Sequence, residues 1–296
     1  MNNYKSGFIS IIGRPNVGKS TLLNHILGEK MAIISSKPQT TRNTIRCIHT
    51  TDDFQMIFID TPGIHKPKNK LGNYMVQAAT QTLKEVDVIL FLVDESRKIG
   101  PGDQYILEQL RDISTKKILV INKIDHMTNE NLLWKIDQLK KYPQIDEIVP
   151  LSALKGKNVD TLLQLIEKTI PSGPQYFPKD MITEQPEKII VAELVREKAL
   201  QLLQDEVPHG IAVEVMSMKE REDKEIYDIQ VNIYCERKTH KGIIIGKEGK
   251  MLKKIGSYAR KDIENLLACK VYLQLWVKIR PDWREKEFDL KDLGYR

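Results

Sequence analysis

The sequence predicts two domains. The first is α/β, with a mostly parallel sheet and helices on both faces; the second is smaller and α+β. Three observations predict this. From Phe8 to Ile170, short apolar runs alternate with segments of helical periodicity. Pro171-Ser172-Gly173-Pro174, with Pro178 close behind, continues neither a helix nor a strand. Beyond it the order changes to one long helical stretch and then strands of alternating polarity. The expected bounds are 1–172 for the first domain, 173–182 for a linker, 183–285 for the second domain and 286–296 for a tail.

A chain of 296 residues is long enough for two cores, and 41% hydrophobic with 29% charged residues fits a soluble globular class. The net charge of +6 permits a polyanionic partner without proving one. The longest apolar run, Val88 to Val93, lies between Asp87 and Asp94 and is far too short to span a bilayer. The first ten residues carry no signal-peptide core. Cys47, Cys235 and Cys269 are far apart and odd in number, so reduced thiols are expected rather than a disulfide framework or a zinc site. A cytoplasmic protein is the simplest reading.

Within the first domain, Phe8 to Ile12 reads as a strand and Leu22, Leu23, Ile26 and Leu27 mark a helix. Between them lies Gly13-Arg14-Pro15-Asn16-Val17-Gly18-Lys19-Ser20, followed by Thr21, the phosphate-binding P-loop pattern. Its glycines let successive N–H groups converge on an anion, and the helix start adds its positive dipole end. Lys19 supplies a point charge for the outer phosphates, and Ser20 offers a hydroxyl to magnesium. The polar stretch Glu29 to Thr44 carries Pro38-Gln39-Thr40-Thr41-Arg42. A loop there lies over the phosphates, and Thr41 or Thr40 is expected to give magnesium a second hydroxyl.

The apolar run Met56 to Ile59 delivers Asp60-Thr61-Pro62-Gly63 at a strand end. An acid in this place, some way after a P-loop, holds magnesium through water, and the Gly63 N–H meets the terminal phosphate. The polar segment His65 to Asn73 is expected as a loop before a helix over Tyr74 to Lys84. The strand near Lys117 to Ile121 leads into Asn122-Lys123-Ile124-Asp125. The Asp125 carboxylate can accept from the N1–H and N2 amino group of guanine, donors that adenine lacks. The Asn122 amide can donate to the other edge of the base. Discrimination is large because a carboxylate facing adenine is left unpaired. Ser152-Ala153-Leu154 follows the last strand, where a backbone N–H of Ser152 or Ala153 is expected to meet guanine O6.

In the second domain, an apolar segment meets Gly246-Lys247-Glu248-Gly249, and a helix follows with Leu252, Ile255, Ala259, Ile263 and Leu266 inward. From 237 to 261 the basic residues are Arg237, Lys238, Lys241, Lys247, Lys250, Lys253, Lys254, Arg260 and Lys261, against Glu248 alone. A Gly-x-x-Gly loop admits a phosphodiester backbone closely, so this reads as a KH-type clamp on single-stranded RNA, with Gly246 to Lys250 and Lys253 as its contacts. The end of the second domain and the tail, Pro281 to Arg296, carry Trp283, Phe288 and Tyr295, which either pack on the second domain or stack on bases.

With these motifs in this order, the chain resembles the Era family of bacterial ribosome-assembly GTPases from end to end. The resemblance implies a P-loop GTPase domain followed by a type II KH domain. It implies GTP hydrolysis coupled to binding near the 3′ end of 16S rRNA during 30S subunit assembly, with GTP or GDP and magnesium as ligands. It also implies contact with the inner face of the cell membrane, for which the sequence gives no independent reason. A monomer is expected. Ile64 stands where Ras-like GTPases place a glutamine that orients the attacking water. Resemblance to related GTPases with an asparagine at the Asn16 position suggests that a potassium ion held there supplies the missing charge. Lys19, Asn16 and Thr41 are therefore the residues expected to act in hydrolysis. Guanosine tetraphosphate carries the same base and is expected to compete with GTP. Two rival readings are a constitutive RNA-binding assembly factor with a structural nucleotide site, and a tRNA-modifying GTPase. The second lacks a catalytic-cysteine motif here.

Overall fold

The structure is a computed structural model. It describes residues 4–295 except 36, 38, 65, 66, 68, 97, 222 and 223. The chain divides into two compact units. Unit 1 is Met1–Ala32, Thr41–Lys68 and Gly72–Glu184; unit 2 is Ile33–Thr40, Asn69–Leu71 and Gln185–Arg296.

In the first unit the strands are β1 (Lys5–Gly13), β2 (Ile45–Thr50), β3 (Phe54–Asp60), β4 (Val88–Val93), β5 (Lys116–Ile121) and β6 (Glu147–Pro150). They form one sheet in the order β2-β3-β1-β4-β5-β6. Only β2 runs antiparallel, paired to β3 so that Ile45 faces Asp60. Strand β4 is apolar throughout and buried at every position, as a central parallel strand covered on both faces must be.

The helices are α1 (Lys19–Leu27), α2 (Lys70–Gln81, whose first two residues group with the second unit), α3 (Pro101–Gln109), α4 (Asn129–Leu139) and α5 (Val159–Thr169). Ala79 of α2, Ile106 and Leu107 of α3 and Leu139 of α4 join Ile12, Ile59, Ile89, Phe91, Leu119 and Ile121 in one buried cluster. The alternate strand residues Ile11, Ile57, Leu90 and Val120 are buried as well, so both sheet faces are covered. The carboxyl ends of β1, β3, β5 and β6 point to one edge of the sheet, where the loops that follow them gather.

Helix α2 begins at Lys70, four residues before the sequence predicts. Leu71, Met75 and Ala79, spaced by four, are all fully buried, and this apolar stripe pulls the helix start forward. Part of the expected loop, His65, Lys66 and Lys68, lies outside the described residues. Helix α4 starts at a threonine cap, where Thr128 Oγ accepts from the Asn131 N–H at 3.3 Å. The stretch expected as a linker is part of the first unit, tied to its strands and turned where Met181 N–H donates to Pro178 O at 3.1 Å. Gln55 Oε1 accepts from the N–H groups of Tyr176 (2.8 Å) and Phe177 (3.0 Å), and Ile48 N–H donates to Ile182 O (2.7 Å).

The second unit contains α6 (Glu187–Leu202), β7 (Ala212–Arg221), β8 (Lys224–Cys235), α7 (Lys238–Ile245), α8 (Lys250–Leu267), β9 (Lys270–Ile279) and α9 (Glu287–Asp292). The sheet order is β7-β8-β9, with β7–β8 antiparallel and β8–β9 parallel. Helices α6 and α8 pack on each other, α6 on β7 and α8 on β9, burying Ile229, Val231 and Ile233 of the central strand. Helix α6 buries three consecutive charged residues, Arg196, Glu197 and Lys198. Lys198 Nζ is paired with Glu197 (2.9 Å) and with Asp262 of α8 (2.6 Å). The two residues before it bind Ile33–Thr40: Glu197 Oε1 accepts from the Ile34 N–H at 2.7 Å, and Arg196 donates to the Thr40 carbonyl.

The tail packs rather than projecting. Trp283 is fully buried, donates Nε1–H to Gly210 O at 2.9 Å and stacks on Tyr295 with ring centroids 5.7 Å apart. Phe288 alone of the three aromatics stays exposed.

Candidate nucleotide and RNA sites

At the end of β1 the backbone turns through Gly13 to Gly18 and enters α1 at Lys19. Gly18 has φ of +100°, and a Cβ there would stand 2.2 Å from Asn122 Nδ2. Any other residue would both strain the backbone and displace Asn122. Lys19 is buried, and its ammonium donates back to the carbonyls of Gly13 (3.2 Å) and Arg14 (3.1 Å). Burial pushes its pKa down to about 8, with Asp60 working against the shift.

Asp60, at the end of β3, is fully buried, and burial pushes its pKa up to about 6 against the pull of Lys19 and of hydroxyl hydrogen bonds. Ser20 Oγ lies 3.0 Å from Asp60 Oδ2 and 3.2 Å from Thr41 Oγ1, and Thr41 Oγ1 is 3.5 Å from the same carboxylate oxygen. The other oxygen, Asp60 Oδ1, is buried with no hydrogen-bond partner. One carboxylate and two hydroxyls, with an unpartnered anionic oxygen, suit a hard cation such as magnesium that keeps part of its water shell. Thr40 points elsewhere: its hydroxyl donates to Lys37 O at 2.6 Å. Of the two threonines, only Thr41 shares this cluster.

After Asp60, Thr61 is spent on architecture, its hydroxyl donating to Ile11 O at 2.7 Å. Ile64 is 2% exposed and part of the core cluster, and its N–H donates to Gly13 O at 3.2 Å. A buried isoleucine cannot orient an attacking water. Asn16 holds a left-handed conformation, φ +65°, at the tip of the P-loop.

Asn122 is buried between three loops. Its Nδ2 donates to Val17 O at 2.8 Å, and its Oδ1 accepts from the N–H of Lys123 (2.8 Å) and of Ala153 (2.9 Å). The sequence reading gave this amide to the base; here one of its donor hydrogens ties the base loops to the P-loop. The Asp125 carboxylate is held below the usual range, chiefly by a hydrogen bond from the Ser152 side chain, and is an anionic acceptor. His126 Nε2 lies 3.2 Å away. The expected free donors for guanine O6 are not free. Ser152 N–H donates to Lys157 O at 3.0 Å and Ala153 N–H to Asn122, so Ala153 would have to share its hydrogen. Leu154 follows, exposed, and Lys123 pairs with Glu95 at 3.3 Å.

Sequence reasoning missed the partners of Arg14. Its guanidinium binds Asp103 (2.7 Å) at the start of α3 and Asp94 (3.1 Å) after β4. Lys135, also buried, donates to the carbonyls of Asp94 and Ser96. These contacts fix the P-loop's outer wall. Their only sequence signal was two acids flanking apolar segments, a pattern too common to single out.

In the second unit, Gly246 (φ +73°), Glu248 (+54°) and Gly249 (+74°) form a tight loop before α8. A Cβ on Gly246 would fall 2.7 Å from Met251 Cβ. Lys247 and Lys250 are exposed at its tip, with Lys250 paired to Glu248 at 2.9 Å. Beside it runs an open groove of about 440 Å³. Leu252, Gly256, Leu273 and Leu275 give it an apolar floor, and Lys253 and Arg260 a basic rim. Bases can lie on such a floor while phosphates meet the rim.

The Asp60 shift gives a pH prediction. Its folded pKa lies above the ordinary value of 3.8, so ionising it costs the fold stability as pH rises from about 4 to about 6. Conversely, protons compete with a cation for Asp60 below pH 6. Affinity for Mn2+ in the GDP-bound protein, read by electron paramagnetic resonance, should fall tenfold or so per unit below about pH 6. Asp60→Asn should bind more weakly and lack that dependence; the same pH profile in both proteins would contradict the assignment.

Comparison with known proteins places these features in a family. The profile of the 50S ribosome-binding GTPases matches residues 8–123, and that of the KH domain matches residues 206–284. GTPase Era of Alkaliphilus metalliredigens is 60% identical over 99% of both chains, and that of Clostridioides difficile 57% identical over 99% of both. The crystal structure of an Era in complex with MgGDPNP and nucleotides 1506–1542 of 16S ribosomal RNA is 45% identical, with a TM-score of 0.96 over 99% of each chain. A tyrosine-to-alanine variant of Aquifex aeolicus Era bound to GDP and aluminium fluoride is also 45% identical, with a TM-score of 0.95 over 98% of this chain and 99% of that one. The chain belongs to the Era family of GTPases, with a GTPase domain followed by a KH domain.

Proposed function

We propose that this GTPase is a switch whose grip on the 3′ end of 16S rRNA depends on the bound nucleotide, and that it serves 30S subunit assembly. One observation carries the reading: an Asn122-Lys123-Ile124-Asp125 loop tied to the P-loop through Asn122, and a Gly-x-x-Gly loop with a basic-rimmed groove, are built into one chain. The phosphate-loop amides and Lys19 hold the phosphates and stabilise charge that builds on them. Ser20, Thr41 and Asp60 would hold magnesium, which when bound neutralises phosphate charge. Asp125 selects the base, and Lys247, Lys250 and Lys253 meet the RNA backbone.

Chain connectivity supports the coupling. Thr41 stands beside Asp60 in the first unit, while Ile33–Thr40, joined to it by one peptide bond, groups with the second unit and is hydrogen-bonded to α6. A shift of Thr41 toward a terminal phosphate and its cation pulls on a segment that α6 holds.

Two experiments test the reading. Affinity for a 16S 3′-end RNA should differ at least tenfold between the GDP state and the state with a non-hydrolysable GTP analogue. Equal affinities would favour a constitutive binder with a structural nucleotide site. Hydrolysis without a glutamine needs charge from elsewhere, and Asn16 at the P-loop tip is the residue to hold a potassium ion. Single-turnover hydrolysis should be faster in potassium than in sodium, and equal rates would remove the ion from the account.

A further inference from the structure

The groove beside the Gly-x-x-Gly loop uses one face of β9. Leu273 and Leu275 line it, and Val271 and Val277 on the same face are buried. The opposite face of this edge strand carries Lys270, Tyr272, Gln274, Trp276 and Lys278 in alternation. Tyr272 is 51% exposed and Trp276 42%. Lys270 and Lys278, at the two ends, are exposed and have no ion pair among the described residues. Across the ladder, β8 sets Asp228, Gln230 and Asn232 opposite Tyr272, Gln274 and Trp276. Asp228 is neutralised by a two-pronged pair with Arg221 (2.6 and 2.8 Å), whose guanidinium lies 5.4 Å from the Tyr272 ring centroid.

Single exposed aromatics are ordinary on protein surfaces. Two of them in register on one strand face, with a glutamine between and a lysine at each end, are a more specific arrangement. Aromatic rings on an open sheet face stack bases whatever their identity, and flanking lysines meet the phosphates. The spacing sets the number of bases. Four residues along a strand span about 13 Å, too far for neighbouring stacked bases and suited to two bases with one between them at Gln274. Arg221 over Tyr272 already begins such a stack.

Continuity supplies the occupant. RNA leaving the groove at Leu273 and Leu275 has only to cross the free edge of β9 to reach Tyr272 and Trp276. A Gly-x-x-Gly loop clamps about four nucleotides. The RNA in the structural relative, nucleotides 1506–1542, is several times longer.

We propose that the open face of β9 is a second RNA-stacking site. It takes about three nucleotides of the single strand that runs on from the Gly-x-x-Gly groove. This rests on the RNA-binding reading above.

The test uses the full chain with a GTP analogue and two unstructured RNAs, a pentamer and a dodecamer ending at the 16S 3′ end, read by fluorescence anisotropy. The double variant Tyr272→Ala with Trp276→Ala should lose about 30-fold or more for the dodecamer and keep its pentamer affinity. Trp276→Phe, which keeps a stacking ring and guards against misfolding, should lose less than about fivefold. Dodecamer affinity within twofold of wild type in the double variant would overturn the proposal. So would unchanged dodecamer binding with lost binding to 30S particles, which would make this face a protein contact. If the wild type binds neither RNA, the RNA-binding reading itself fails, a result distinct from these.

Discussion

The nucleotide site depends on the side chain of Asn122. Its amide reaches the carbonyl of Val17 in the P-loop, the N–H of Lys123 in the base-reading loop and the N–H of Ala153 after β6. Three loops from distant parts of the chain are thereby one rigid piece. Each bond contributes about 1 kcal/mol net, but losing the amide would strand two buried backbone groups, Val17 O and Ala153 N–H, at about 1–3 kcal/mol each, and the half-buried Lys123 N–H besides. The need for glycine at 18 follows from the same contact, since a Cβ there would collide with Nδ2. Phosphate binding and base recognition are thus mechanically linked before any ligand arrives.

The charges around the phosphate position are held in tension. Burial moves Lys19 toward its neutral amine and Asp60 toward its neutral acid, and each partly restrains the other. A polyanion beside Lys19 and a dication beside Asp60 would relieve both penalties together. Ligand binding in such a site converts an electrostatic cost of the fold into affinity, which explains why two ionisable groups stay buried within the core.

Much of this was legible because the nucleotide motifs are local. A glycine loop between a strand and a helix, an acid at a strand end and Asn-Lys-Ile-Asp after a strand each fix their own backbone, so residue type and spacing suffice. The Gly-x-x-Gly loop gained its meaning from the lysines around it. What the sequence did not show were long-range choices. Asn122 spends a donor on Val17, more than a hundred residues away, and Arg14 is held by Asp94 and Asp103. Helix α2 starts early, where Leu71 opens a buried stripe with Met75 and Ala79. The grouping of Ile33–Thr40 with the second unit has no sequence signal, because the buried charges of α6 that hold it look like an ordinary solvated stretch. The tail's ambiguity was one of partners, and burial of Trp283 against Gly210 resolves it toward packing.

The central claim is that one carboxylate, that of Asp125, hydrogen-bonded by Ser152, decides which purine nucleotide the protein accepts. Asp125→Asn exchanges an acceptor for a donor at the atom that faces the purine 2-position. Competition between GTP and xanthosine triphosphate for this variant is the direct measurement. The account predicts that affinity for GTP drops by about 100-fold or more and that the xanthine nucleotide becomes the preferred ligand. Retained preference for GTP would contradict it.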